Sequence, residues 1–194
     1  LNAKLVANIP SRLNIPVDCH VRGEVVMPLE TFEEKYRDIS PNPRNLCSGA
    51  LRQKHGDGKA DASDLVFCAY DVKFVNESPD AVYDSELLNW LQKAGIEPAP
   101  WQIFESEHPQ NEMIQYTQEW SKSRSSYEYE IDGVVFKLDD LAQREILGMT
   151  AHHPRWALAW KFPSQEAHSV LLGVDWQTGR TGAITPVARI APQM

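Results

Sequence analysis

Along residues 18–27 apolar and polar positions alternate, with Val21, Val25 and Val26 as β-branched members and Pro28 closing the run, so a strand is predicted there. Residues 29–36 have the spacing of a short helix. Pro41-Asn42-Pro43 then breaks the chain, and residues 44–53 read as a second short helix that stops in the Gly-rich, polar stretch 56–63. Residues 65–75 return to a strand pattern. Residues 83–94 place Leu87, Leu88 and Leu91 at helical spacing and meet Gly95, a C-terminal stop. After Pro98 and Pro100 a short strand is predicted over 101–104, then a helix from 109 to about 122 with Met113, Ile114 and Trp120 available for packing. A strand over 131–138 leads into a helix over 139–147 that opens on an acidic cap. Two more strands are predicted over 157–162 and 169–176, and a last one over 184–190, beyond the Gly-rich turn Gly179-Arg180-Thr181-Gly182. The order predicts an α+β fold with mostly antiparallel sheets, in which a second, β-rich domain begins after Pro163.

Composition narrows this picture. A chain of 194 residues with 42% hydrophobic content buries one sizeable core with chain left over, and 24% charged residues without a long polar tract excludes disorder. No apolar run approaches the roughly 18 residues of a membrane span and no leader pattern opens the chain, so a cytoplasmic location without membrane contact is expected. The three cysteines, Cys19, Cys47 and Cys68, show neither disulfide nor zinc spacing and read as buried small hydrophobes. A formal net charge of −8 means that any contact with nucleic acid is local, because phosphate binding depends on Lys and Arg displacing counterions. No G-x-G-x-x-G follows a strand, which argues against a redox dehydrogenase.

Candidate chemistry lies on the strands. Glu24 follows Gly23 inside the first one; a strand carboxylate is usually an edge or surface residue, while a strand glycine often marks close approach by a ligand. Lys137 ends the run Asp132-Gly133-Val134-Val135-Phe136-Lys137, and an ammonium there needs a counter-charge such as a phosphate, or else reaches water. Trp156-Ala157-Leu158-Ala159-Trp160-Lys161-Phe162 repeats the theme, so the two lysines suggest a two-pronged clamp for one polyanion. Arg44 and Arg52 lie eight positions apart, within roughly 80° of each other on a helix, and either line one wall or form a solvated face. Tyr70 is either a core aromatic or a platform for a base. His152 and His153 lack metal spacing and read as loop residues.

Five blocks stand in a telling order: Arg22-Gly23-Glu24-Val25; Asn42-Pro43-Arg44-Asn45 with Ser48-Gly49-Ala50-Leu51-Arg52-Gln53; Glu130-Ile131-Asp132-Gly133-Val134-Val135-Phe136-Lys137; His153-Pro154-Arg155-Trp156-Ala157 leading to Lys161-Phe162-Pro163; and Gly179-Arg180-Thr181-Gly182-Ala183-Ile184-Thr185-Pro186-Val187-Ala188. Together they resemble successive signatures of the bacterial-type NAD⁺-dependent DNA ligases. ATP-dependent ligases and capping enzymes share the carboxylate and lysine themes but not the Asn-Pro-Arg-Asn block.

The resemblance implies a nucleotidyltransferase (ATP-grasp-like) adenylation fold over residues 1–165 and the beginning of an OB-fold β-barrel over 166–194. It implies nick sealing in duplex DNA, in replication and repair, by way of an enzyme-adenylate and a DNA-adenylate, with NAD⁺ as adenylyl donor and Mg²⁺ as metal. Glu24 is then expected to bind the AMP ribose and help hold metal, Tyr70 to stack on adenine, and Lys137 and Lys161 to neutralise the phosphate under attack. Asp132 belongs to the same catalytic set. Arg44 and Arg52 are expected to meet nucleotide or DNA phosphates, and Arg124 and Arg180 to meet DNA. A monomer acting on nicked double-stranded DNA is the implied assembly. The family's Lys-x-Asp-Gly nucleophile motif does not occur in the sequence and is expected upstream of Leu1. The stretch between Glu24 and Arg44 is also several residues shorter than is usual in such ligases. A non-catalytic nucleotide- or DNA-binding remnant of the same fold is the alternative.

Overall fold

The computed structural model of the protein describes residues 2–53, 58–76, 79–163 and 166–192. The chain divides into two compact units, Leu1–Phe162 and Pro163–Met194. In the first, β1 (Cys19–Val26) pairs antiparallel with β2 (Val66–Phe74), from Cys19 opposite Phe74 to Val26 opposite Val66. The register slips once. Arg22 faces Asp71 and Gly23 faces Ala69, which leaves Tyr70 as the extra residue of a β-bulge. On one face of β1, Val21 and Val25 pack inward, while His20, Arg22 and Glu24 are exposed on the other. Gly23 sits where a Cβ would stand 2.5 Å from the Cys68 carbonyl and closer still to the Phe67 ring, so no side chain fits.

Pro28 ends β1 and leads into α1 (Leu29–Lys35), which buries Phe32. α2 (Pro43–Arg52) starts with two matching signals: the Asn42 side chain accepts from Asn45 N–H at 3.0 Å, and Pro43 occupies the first turn, where its missing donor costs nothing. Its last turn is closed from afar, because Asn2 Nδ2 donates to the carbonyls of Ala50 (3.1 Å) and Gln53 (2.7 Å). The apolar side of α2, Leu46, Cys47 and Ala50, packs with Met27, Phe32 and Leu65 into one core. A second core lies under β2, where Leu88 and Leu91 of α3 (Asp84–Lys93) meet Ala69 and Val72, and Trp90 packs edge-on to Phe74 at 4.8 Å. Gly95, at φ 90°, takes the left-handed turn after α3.

α4 (Pro109–Ser123) is followed by β3 (Gly133–Lys137), α5 (Leu141–Leu147) and β4 (Ala157–Lys161). β3 and β4 form their own antiparallel ladder, with Gly133 opposite Lys161 and Lys137 opposite Ala157. The helix predicted from 139 starts at Leu141, and its acidic cap is Asp140, whose carboxylate accepts from Gln143 N–H at 2.9 Å. In the second unit β5 (Leu171–Thr178) and β6 (Ile184–Ile190) pair antiparallel through a turn closed by Gly182 N–H donating to the Gly179 carbonyl at 2.9 Å.

The α+β composition and antiparallel pairing agree with the sequence. Residues 101–104 do not form the predicted strand: pairing stops at Ala99, which donates to the Ala69 carbonyl at 2.6 Å, because Pro98 and Pro100 on either side lack donors and Phe104 turns onto Tyr116 instead. Of the three cysteines only Cys47 is buried; Cys19 and Cys68 are half-buried, being strand residues near a sheet surface. Part of the predicted polar turn over 56–63, at 56–57, and part of the predicted domain boundary, at 164–165, lie outside the described residues. No helix among the described residues is long and apolar enough to cross a membrane.

Candidate functional site

Antiparallel pairing of β3 and β4 decides how the two lysines relate. Residues directly opposite each other share a face, and alternate residues of a strand return to it. Lys161 is opposite Gly133, and Gly133 is four residues from Lys137, so both lysines rise from the same face at opposite ends of one ladder. Four residues of strand separate their backbones by roughly 14 Å. The expected two-pronged clamp is therefore not a pair of adjacent ammonium groups but two posts with a sheet face between them. Exposed Val135 and Ala159 form the middle of that face. Gly133 keeps the ladder tight at the Lys161 end, since a Cβ there would stand 2.3 Å from the Trp160 carbonyl oxygen.

At one end, Lys161 Nζ donates to Asp132 Oδ2 at 2.8 Å, and Arg44 Nη1 of α2 reaches the same oxygen at 3.9 Å. All three side chains are largely exposed. The hydrogen bond from Lys161, with the charges of Lys161 and Arg44 behind it, holds the Asp132 carboxyl below its ordinary range. Two cations share one carboxylate here, which leaves one positive charge in excess. Arg124, in the turn after α4, stands over the ring of Phe162, 5.8 Å from its centroid, at the end of β4.

At the other end, Lys137 Nζ donates to the carbonyl of Tyr70, the bulged residue of β2, at 2.6 Å and to Asp84 Oδ2 at 3.2 Å. The counter-charge that the sequence required of Lys137 thus comes from within the chain. Asp84, at the first turn of α3, is 5% exposed, and its other oxygen accepts from Arg144 Nη1 at 2.8 Å. Arg144 is itself buried, stacked with Cζ 4.3 Å from the centroid of the Trp156 ring. The start of α3 is docked to the β3–α5 corner: Asp84 N–H donates to the Asp139 carbonyl, and Ser85 N–H and Oγ donate to its carboxylate, each at 2.8 Å. Nothing in the sequence marks Asp84 or Arg144, because their partners lie 53 and 60 residues away.

Tyr70 is exposed, which rules out the core-aromatic reading. Glu24 is exposed on β1 opposite Cys68, with no ion-pair partner among the described residues. Burial, with a smaller contribution from the Glu24 charge, pushes the Cys47 and Cys68 thiols up. Among the described residues no three His, Cys, Asp or Glu side chains gather to hold a metal. Arg52 is exposed at the end of α2, and Arg180 is exposed in the β5–β6 turn of the second unit. His152 and His153 lie in a turn in which the Thr150 hydroxyl accepts from both backbone N–H groups, as a loop role requires.

The chain is 38% identical to the DNA ligase of Bacillus cereus (strain AH187) and to that of Bacillus anthracis, and 39% identical to the DNA ligase of Natranaerobius thermophilus. Each match covers 98% of this chain and 29% of the relative, so the chain spans under a third of the length of these curated relatives. Residues 1–165 match the family described as the NAD-dependent DNA ligase adenylation domain. With the matched segment holding both core clusters and both ends of the β3–β4 ladder, the chain belongs to the NAD-dependent DNA ligase adenylation domain family.

Proposed function

We propose that this chain is the nucleotide- and phosphate-binding part of an NAD⁺-dependent DNA ligase that seals nicks through an enzyme-adenylate and a DNA-adenylate. The single observation that carries the reading is the common face of Lys137 and Lys161 on the β3–β4 ladder, with Tyr70 tied to one end and Arg44 to the other. That spacing suits a nucleotide lying along the face. Tyr70 stacks on adenine, Glu24 receives the ribose hydroxyls, and Lys161, on its exposed post, neutralises the phosphate under attack. Lys137 holds the phosphate from the other side. Asp132 keeps Lys161 and Arg44 in place until a phosphate competes for them.

The attacking amine belongs to a Lys-x-Asp-Gly segment that this sequence does not contain. Its attack on the adenylyl phosphorus breaks the bond to nicotinamide mononucleotide. Glu24, a carboxylate facing solvent, would hold a Mg²⁺ as a single carboxylate ligand. When bound, that ion supplies charge neutralisation at the phosphate. Arg44, Arg52 and Arg124 meet the DNA backbone or the nucleotide, and Arg180 meets DNA from residues 166–194, the start of an OB-fold barrel. NAD⁺, AMP and nicked duplex are the partners, in replication and repair, for a cytoplasmic monomer.

The test uses protein expressed from the complete reading frame that contains this chain, incubated with NAD⁺ labelled in its adenylate. A label that survives denaturation is expected, with Lys161→Ala slowing its formation about 100-fold. Wild-type rates in that variant would overturn the assignment of Lys161. AMP bound without a covalent link would identify a non-catalytic remnant instead.

A further inference from the structure

The deepest charge cluster among the described residues is the one that the roles above leave unexplained: Asp84, Arg144 and the inner side of Lys137. We propose that Asp84 is a positioning residue that fixes the direction in which Lys137 presents its ammonium to the nucleotide phosphate. The inference rests on the function proposed for Lys137.

An ammonium has three N–H donors. In Lys137 the Tyr70 carbonyl takes one and the Asp84 carboxylate a second, so the third is aimed rather than free to rotate. Asp84 cannot follow the lysine. Its carboxylate is held by Arg144, its backbone N–H by the Asp139 carbonyl, and Arg144 in turn by Trp156 and the Leu138 carbonyl. The lysine therefore comes to the carboxylate. A purely structural ion pair would be complete with Asp84 and Arg144 alone, both buried; Lys137 is the half-exposed third member at the rim. The other acceptor of Lys137 belongs to Tyr70 itself, so the same contact fixes the ammonium relative to the proposed adenine platform.

Asp84→Asn separates positioning from support. An amide has one acceptor oxygen; Arg144, the closer partner, takes it, and the NH₂ end then faces Lys137. In protein from the complete reading frame, single-turnover formation of protein-bound AMP is followed for wild type, Asp84→Asn, Lys137→Ala and the double variant. Asp84→Asn is expected to lower the maximal rate about tenfold to a hundredfold, with the half-saturating NAD⁺ concentration changed far less. In the Lys137→Ala background the same change is expected to cost less than about twofold. If Asp84→Asn slows the Lys137→Ala protein by its full wild-type factor, Asp84 does not act through Lys137 and the inference fails while the function of Lys137 stands. If Lys137→Ala alone adenylates at the wild-type rate, the role of Lys137 fails first. Should Asp84→Asn not fold, the paired change Asp84→Leu with Arg144→Met removes the buried charges together, leaves no acceptor at position 84 for Lys137 and keeps a side chain that packs on Trp156, and the same cycle is read in that pair.

Discussion

The two ends of the β3–β4 ladder carry the same parts in opposite settings. At each, a lysine and an arginine share one aspartate: Lys137 and Arg144 on Asp84, Lys161 and Arg44 on Asp132. The side chain of Asp84 is 7% exposed and that of Asp132 is 64% exposed. Burial makes the first cluster rigid, because charges removed from water are tolerated only while every one is paired. Water around the second screens its attractions and lets partners exchange. A phosphate bound as proposed would thus meet one lysine already fixed in place and another free to leave its aspartate.

The largest expected effect breaks the buried end. Asp84→Ala leaves the buried Arg144 without its carboxylate and Lys137, at the rim, without one of its two acceptors, and should cost about 3–5 kcal/mol of folding stability. Asp132→Ala should cost no more than about 1 kcal/mol, since the pair it breaks is solvated. Urea denaturation of both variants checks this. Equal losses would mean that the two clusters do not differ in the way burial indicates.

An intermediate effect is expected from the ladder that joins the ends. In Gly133→Ala the added methyl is built into a backbone carbonyl, and backbone cannot swing aside as a flexible side chain would. A loss of about 1–3 kcal/mol follows if the strands part to admit it. Because the strain falls opposite Lys161, amide exchange should quicken at the Gly133 end of β3 before it does at Lys137. Uniform exchange along the ladder would show that glycine is not what keeps that end closed.

The contrast between the ends was half legible in the chain. Strand and helix periods located both lysines and placed each at a strand terminus, while Asn42-Pro43, which read as part of a chain break, is the cap and first residue of α2. The exposed end was the more readable one, because Asp132 stands beside Gly133 at the start of the same strand whose partner ends in Lys161. The buried end was not. Asp84 reads as an ordinary acidic first-turn residue and Arg144 as a basic residue in a short helix; only docking of α3 on the β3–α5 corner makes them a pair. Tyr70 left two readings open because the bulge that turns it outward depends on a register slip, which alternation along β2 alone does not reveal. The 101–104 stretch misled for a related reason: its apolar residues have strand character, but neighbouring prolines remove the donors that a ladder needs.

The smallest effect concerns protons at the exposed end. Lys161 and Arg44 favour the ionised form of Asp132, so its folded pKa lies below the ordinary value of about 3.8. A depressed carboxyl contributes stability that is fully present above the unfolded pKa and disappears as pH falls through the folded one. Wild type and Asp132→Asn should therefore differ slightly at neutral pH and converge in acid, by well under about 1 kcal/mol once solvent screening is allowed for. Stability is too coarse a measure of so small a term. The carboxyl resonance of Asp132, followed by NMR through acid pH, reads it directly: its midpoint should lie below the ordinary carboxylate value and move up towards it in 1 M salt, where the Debye length falls to about 3 Å. A midpoint at the ordinary value in low salt would mean that Lys161 is not held by Asp132 in solution. The exposed post would then be free even before a phosphate arrives, and the contrast with Lys137 would be sharper still.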